Sequence, residues 1–134
     1  MSGPRAYICV AAGSALGAVL RYLAGLPFSG TASLPWDTLL VNTTGSLAIG
    51  LLAATLFHPR RPAAGDALQY FLIPGLLAGY TTFSVFSLQT MQLLQEGQIT
   101  IAMLNSFANI LLALAAVAGG HEIGTRIRQR RLPE

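Results

Sequence analysis

The stretch ALQYFLIPGLLAGYTTFSVFSLQTMQLL, residues 67–94, decides the fold of this chain. It is apolar, yet longer than the roughly 20 residues that cross about 30 Å of hydrocarbon as a straight helix. Pro74 cannot donate to a helical hydrogen-bond ladder, and Gly75 and Gly79 loosen the backbone after it. The stretch therefore predicts a broken membrane helix. The freed carbonyl groups would bind a hard cation such as Na⁺, or hydroxyl groups and water would satisfy them around a proline kink.

Three further apolar runs accompany this stretch, and short segments rich in glycine, proline or polar residues separate them. The bilayer core offers no water to backbone groups, so helices are the expected form for all four runs. We predict an all-α membrane protein with four transmembrane helices and a break in the third. The chain forms a single four-span domain over residues 1–134, with spans at about 6–26, 36–57, 67–94 and 99–120.

The composition also points to a membrane. Hydrophobic residues make up 53% of the chain and charged residues 10%, with a mean hydropathy of +0.58, whereas soluble domains carry about 25% charged residues. A basic cluster beside a membrane explains the RIRQRR tail, residues 126–131, better than nucleic-acid binding does, because the sequence shows no other basic face. The single cysteine, Cys9, excludes an internal disulfide.

Arginine placement predicts the orientation. All eight basic residues are arginine, and seven of them lie in the N-terminus, the 58–65 loop and the C-terminus, which four spans place on one side. Only Arg21 lies toward the opposite side. Since basic residues stay on the cytoplasmic side, we expect both termini in the cytoplasm and the chain in the cell membrane of a bacterium or archaeon.

Aromatic rings follow the break directly. Phe83 and Phe86 lie three residues apart on one helical face. Aromatic rings carry positive charge at their edges, so two such edges attract a small anion, although phenylalanines at this spacing more often serve simple packing.

Polar side chains line two other spans. Thr38, Asn42 and Ser46 share a face of the second span, and Asn42 offers amide N–H donors. Asn105 and Asn109 are four residues apart on the fourth span. Amides inside a membrane either hold helices together or line a wet path, and the spacing leaves both open.

Missing residue types exclude other functions. No aspartate or glutamate lies in the middle of a span, which counts against a proton-coupled drug or metabolite exporter. The sequence shows no catalytic serine–histidine–acid set, no metal-ligand cluster and no phosphate-binding loop, so we do not expect an enzyme.

Three strings together resemble the Fluc/CrcB family of fluoride channels: GSALGAVLRY at 13–22, LPWDTLLVNTTGSLAIG at 34–50 and GLLAGYTTFSVFS at 75–87. The resemblance covers almost the whole chain in order. It implies a fluoride-selective passive channel that exports cytoplasmic fluoride and protects against its toxicity. It also implies an antiparallel dimer of the dual-topology type, with two pores built from both subunits.

The resemblance implies roles for the pore residues. Phe83 and Phe86 match the rings whose edges contact fluoride, and Asn42 matches the asparagine that donates to the ion. Ser84 and Thr38 match polar lining of the pore.

It also implies a structural Na⁺ ion between the subunits, held by the backbone carbonyl groups of Ala78 and Thr81. Arg21 would lie near an aqueous vestibule, although extension to the membrane interface fits it equally well.

The chain departs from the family in three ways. Ala78 stands where glycine is frequent, and Asn109, which we include among the pore residues, stands where a small hydroxyl residue is usual. The third departure is the arginine bias, because homodimers of dual topology need nearly balanced charge. We therefore expect an oppositely oriented, separately encoded homologue as partner, with an antiparallel homodimer as the alternative. A third possibility is a non-conducting subunit that completes another chain's pore; the presence of Asn42, Phe83 and Phe86 argues against it.

Overall fold

Helices make up nearly all of the chain that the structure, a computed structural model, describes: residues 3–28, 34–56 and 66–131. These ranges contain no β-strand. A 3-10 turn at Leu26–Phe28 follows the first helix, and a π-helical segment, Phe71–Leu77, joins the third to the fourth. The α-helices are α1 (Pro4–Gly25), α2 (Trp36–Leu56), α3 (Asp66–Tyr70), α4 (Ala78–Tyr80), α5 (Ser84–Gln95) and α6 (Ile99–Arg131).

Together these elements form four stretches that are long and apolar enough to cross a membrane: Pro4–Phe28, Trp36–Leu56, Ala67–Gln95 and Ile99–Arg130. They confirm the predicted all-α fold with four membrane helices. The end of the second predicted span, Phe57, and the 58–65 loop lie outside the described residues.

Helix α6, which forms the fourth membrane span, is longer than the span predicted to end near residue 120. Helix α6 has 33 residues, and at 1.5 Å per residue it extends about 50 Å, well beyond a hydrocarbon core of about 30 Å. The sequence after Gly120 is polar but contains no proline before residue 133, so the helix continues although the apolar run has ended. Hydropathy marks where the membrane ends, and the helix ends later.

Helix α1 packs against the π-helical segment and α4. A Cβ atom at Gly13 would meet the Phe71 carbonyl oxygen, and one at Gly17 would meet the Leu76 carbonyl oxygen. The two backbones therefore approach so closely that only glycine fits, as small residues allow between membrane helices. This contact fixes α1 beside the irregular half of the third span.

Helix α2 makes its most extensive contact with α6. A Cβ at Gly50 would meet the Val117 carbonyl oxygen, and one at Gly120 would meet the Leu47 carbonyl oxygen. Beyond this contact, the Arg128 guanidinium donates to the Ala54 carbonyl in the last turn of α2 (3.0 Å), where helical carbonyl groups lack partners. The pair α2–α6 forms a second close-packed unit.

The Gly119–Gly120 pair of α6 tests this packing with an internal control. We expect Gly120→Ala to lower the midpoint of thermal unfolding in detergent, because overpacking against the backbone of α2 costs about 1–3 kcal/mol. A Cβ at Gly119 meets nothing within 4 Å, so Gly119→Ala should leave the midpoint unchanged or raise it. Equal effects of the two substitutions would contradict the close α2–α6 contact.

Candidate functional site

The third span is interrupted between α4 and α5, as the sequence predicted. Thr81 has an extended backbone (φ −76°, ψ 159°), and α5 begins at Ser84. Pro74 itself does not interrupt the span, because it lies inside the π-helical segment, where the altered hydrogen-bond pattern accommodates a residue without an N–H group. The break therefore lies at residues 81–83, about two helical turns after the proline.

Asn42 of α2 binds both backbone groups of Thr82 at this break. The Thr82 N–H donates to Asn42 Oδ1 (2.8 Å), and Asn42 Nδ2 donates to the Thr82 carbonyl (3.0 Å). In an unbroken helix the same N–H would donate to the Ala78 carbonyl. Asn42 thus supplies partners that a membrane cannot supply, and it fixes the position of the break relative to α2.

Arg21 of α1 also binds the break. Its Nη1 donates to the Thr81 carbonyl (3.1 Å), and the side chain is half-buried. The guanidinium thus contacts the carbonyl group that the sequence predicts as a Na⁺ ligand, and the Na⁺ ion itself stays a prediction. No sequence pattern indicates this pairing, since the two residues are 60 positions apart and share no motif.

A groove of about 270 Å³ lies beside the break. Phe83, Phe86, Asn42 and Asn109, four of the six predicted pore residues, line it. The two rings have centroids 5.6 Å apart and are tilted by 51°. Phe86 is only 8% exposed, whereas Phe83 is 78% exposed, so the groove is open on the side of Phe83.

The asparagines of α2 and α6 form a continuous chain of hydrogen bonds, which we term the amide relay: Asn42, Asn109, Asn105 and Thr90. Asn42 Nδ2 donates to Asn109 Oδ1 (3.0 Å), and Asn109 Nδ2 donates to Asn105 Oδ1 (3.0 Å) and to the Asn105 carbonyl (3.2 Å). Asn105 Nδ2 then donates to Thr90 Oγ1 (3.0 Å). The amides therefore hold α2, α5 and α6 together while Asn42 and Asn109 also line the groove.

The other two predicted pore residues, Thr38 and Ser84, lie outside the lining of this groove. Thr38 is buried, and its Oγ1 contacts Gln89 Oε1 (2.8 Å), while Gln89 Nε2 donates to the Asp37 carboxylate (3.1 Å). Ser84 Oγ pairs with Thr82 Oγ1 (3.2 Å). Their roles in a pore stay predictions. The lining also includes Thr82 and Ser46, which sequence reasoning did not assign to the pore.

The chemistry of the groove suits an anion. Its described lining consists of amide, hydroxyl, aromatic and aliphatic groups and includes no carboxylate. Among the described residues, no three histidine, cysteine, aspartate or glutamate side chains lie together as a side-chain metal site requires.

Comparison with known proteins places this arrangement in context. A family model described as "CrcB-like protein, Camphor Resistance (CrcB)" matches residues 8–121. A protein of Rhodospirillum rubrum is 47% identical over 119 residues, which cover 86% of this chain and 91% of that protein. A protein of Rhizobium meliloti is 45% identical over 115 residues, which cover 84% of this chain and 90% of its own length. Both relatives are named "Fluoride-specific ion channel FluC".

The contact between Arg21 and the break yields a stability prediction. We expect Arg21→Met to lower the midpoint of thermal unfolding in detergent, because a charge-assisted hydrogen bond to a backbone carbonyl contributes about 1.5–3 kcal/mol. Arg126→Met is the matched control: it also removes one arginine, but its ion pair with Glu122 is exposed (70% and 60%) and is worth little. Equal midpoints for the two variants would contradict a structural role for Arg21.

Proposed function

This chain belongs to the CrcB family, and from that premise we propose that it is a passive channel, selective for fluoride, which exports cytoplasmic fluoride and protects the cell against its toxicity. The observation that carries this proposal is the groove in which Phe83, Phe86 and Asn42 meet beside the break of the third span. The chain is a multi-pass membrane protein and not an enzyme.

The groove offers fluoride a substitute for its water shell. Fluoride is small and strongly hydrated, so its burial is costly unless several donors replace water. The Asn42 amide can supply one N–H donor, the one that it gives to Asn109 in the structure, and the edges of Phe83 and Phe86 carry the positive end of the ring quadrupole. A larger halide approaches such edges and amides less closely and gains less from them, so fluoride is favoured over chloride when its extra gain exceeds the extra cost of losing its water shell.

We propose further that the functional unit is an antiparallel dimer with two pores, each built from both subunits. The support is the open side of the groove, where Phe83 is 78% exposed. A single chain leaves that ring without a partner surface, so an ion at Phe83 would remain partly in lipid or water. A second subunit would close this side, and Thr38 and Ser84 would then contribute to the polar lining.

Na⁺ at the subunit interface is also a proposal, with the Ala78 and Thr81 carbonyl groups as its ligands. Carbonyl oxygens fit a hard cation, and the Ala78 carbonyl loses the Thr82 N–H as helical donor because Asn42 accepts from it. Ala78 is exposed, as an interface ligand must be in a single chain. The ion would supply a fixed positive charge, and Arg21 would share the Thr81 carbonyl with it.

The orientation follows from the basic end of α6. Arg126, Arg128 and Arg130 lie on the part of this helix that exceeds the hydrocarbon thickness. We propose that the termini lie in the cytoplasm and that a separately encoded homologue of opposite orientation is the partner. A homodimer of dual topology is the alternative.

Removal of the rings tests the fluoride site. Phe83→Ile and Phe86→Ile should each abolish fluoride efflux from liposomes, measured with a fluoride electrode, while the protein still assembles, because isoleucine keeps the apolar volume but has no electropositive edge. Phe107→Ile is the control, since Phe107 is an exposed ring of α6 outside the groove lining. Unchanged efflux in both groove variants would remove the rings from the mechanism.

A tag at the C-terminus tests the orientation. In intact cells we expect labelling of this tag by a membrane-impermeant reagent only after the membrane is opened, because the arginine-rich end stays in the cytoplasm. Equal labelling from both sides would contradict the single orientation and support the dual-topology homodimer.

A further inference from the structure

The amide relay has a defined direction of hydrogen bonding. Asn42 is held by Thr82 on both sides: the backbone N–H can only donate to Oδ1, and the carbonyl can only accept from Nδ2. Its second Nδ2 hydrogen therefore points to Asn109, which must present Oδ1. Asn109 Nδ2 then faces the Asn105 carbonyl, which can only accept. Each amide orientation thus follows from a backbone group.

The relay ends at a hydroxyl group that can rotate. Thr90 Oγ1 accepts from Asn105 Nδ2 and donates its own hydrogen to the Phe86 carbonyl (2.9 Å). The donors therefore run in one direction, from Asn42 to the backbone of Phe86. Asn105 is fully buried (0% exposed), and neither Asn105 nor Thr90 belongs to the groove lining.

In the observed hydrogen-bond direction, Asn42 has no free N–H group for an anion. Both N–H groups of Asn42 are engaged, one by Thr82 and one by Asn109. If an anion takes the second N–H, Asn109 Oδ1 is left beside it, and an amide oxygen repels negative charge. Asn109 is itself only 4% exposed, so an unpaired oxygen there is costly.

We propose that the relay reverses when fluoride enters the groove, and that Asn105 is the positioning residue that permits this reversal. Asn109 rotates its amide so that Nδ2 faces the ion beside the Asn42 N–H, and Oδ1 faces Asn105. Asn105 rotates in turn and donates from Nδ2 to Asn109 Oδ1. The Thr90 hydroxyl leaves the Phe86 carbonyl and donates to Asn105 Oδ1. This inference rests on the proposed function. It adds a second donor to the fluoride site, Asn109 Nδ2, which faces the groove only when the ion is bound.

The reversed relay keeps every buried polar atom of its side chains bonded. Asn109 Oδ1 and Asn105 Oδ1 each gain a donor, and the Phe86 carbonyl retains its helical partner. The reversal has one cost: the contact from Asn109 Nδ2 to the Asn105 carbonyl (3.2 Å) is lost, and Asn109 Oδ1 faces that carbonyl oxygen instead. The charge-assisted bond from Asn109 Nδ2 to the anion has to offset this repulsion. A hydroxyl residue at position 109 would donate to an ion by simple rotation. An asparagine needs a neighbour that reverses with it, and Asn105 is such a neighbour.

The three asparagines of the chain, all members of the relay, permit a direct test by NMR. Protein labelled with ¹⁵N at asparagine gives three side-chain NH₂ pairs, which single substitutions assign. Sodium fluoride should shift the pairs of Asn42, Asn109 and Asn105, whereas sodium chloride at the same concentration should not. A shift at Asn42 without one at Asn105 would overturn the reversal and leave the fluoride site intact. No shift at any asparagine, either in the chain alone or with an unlabelled homologue of opposite orientation, would overturn the fluoride site and the relay together.

Flux through two variants provides a second test. Asn105→Leu keeps the number and branching of the side-chain heavy atoms but leaves the reversed Asn109 Oδ1 without a donor, so fluoride efflux should fall by about tenfold, the ratio that one buried hydrogen bond supports. In Asn105→Leu/Asn109→Ser, the serine hydroxyl rotates without help from position 105, so efflux should recover relative to the single variant. The midpoint of thermal unfolding separates this from a structural role: the double variant should recover efflux without recovering the midpoint, and recovery of both together would overturn the proposal. Wild-type efflux in Asn105→Leu, or no recovery in the double variant, would overturn the proposal.

Discussion

The pair of hydrogen bonds between Asn42 and the backbone of Thr82 is the interaction on which the rest of the structure depends. A break in a membrane helix exposes backbone groups where no water can satisfy them, and each unsatisfied group costs several kcal/mol. Asn42 satisfies both groups of Thr82 with one side chain. Because the break is fixed to α2 in this way, α5 begins at a defined place and orientation, and the rings of its first turn face the groove.

The same bonds give Asn42 two tasks, one structural and one expected in ion binding. The side chain that fixes the break is the side chain expected to contact the ion, so it cannot be optimised for either task alone. One N–H of Asn42 donates to the Thr82 carbonyl and the other donates to Asn109 Oδ1, and in our proposal fluoride takes the second one. In this proposal, selectivity depends on the exchange of one neutral hydrogen bond for a charge-assisted one, which is stronger when the ion is small and approaches closely.

Much of the fold was predictable because membrane helices follow simple rules. Apolar length fixed the four spans, and the strings around Asn42 and Phe83–Phe86 identified the residues that meet in the groove. The π-helical segment was not predictable, because Pro74 marks a lost donor without stating how the backbone adjusts. The length of α6 was missed because hydropathy reports the membrane boundary and not the end of the helix.

Contacts between residues far apart in the sequence could not be predicted either. Arg21 binding to Thr81 and the order of the amide relay depend on how the helices pack, and no spacing rule within one helix contains that information. The spacing of Asn105 and Asn109 left open whether they hold helices together or line a path. The structure shows that they hold the helices together and that Asn109 also lines the groove.

The central claim, that the groove at Phe83, Phe86 and Asn42 replaces the water shell of fluoride, is tested most directly by comparing halides. The purified chain, alone or with a homologue of opposite orientation, is reconstituted into liposomes loaded with equal fluoride and chloride, and both effluxes are followed with ion-selective electrodes. The account predicts rapid loss of fluoride while chloride stays inside. Chloride efflux as fast as fluoride efflux would contradict it.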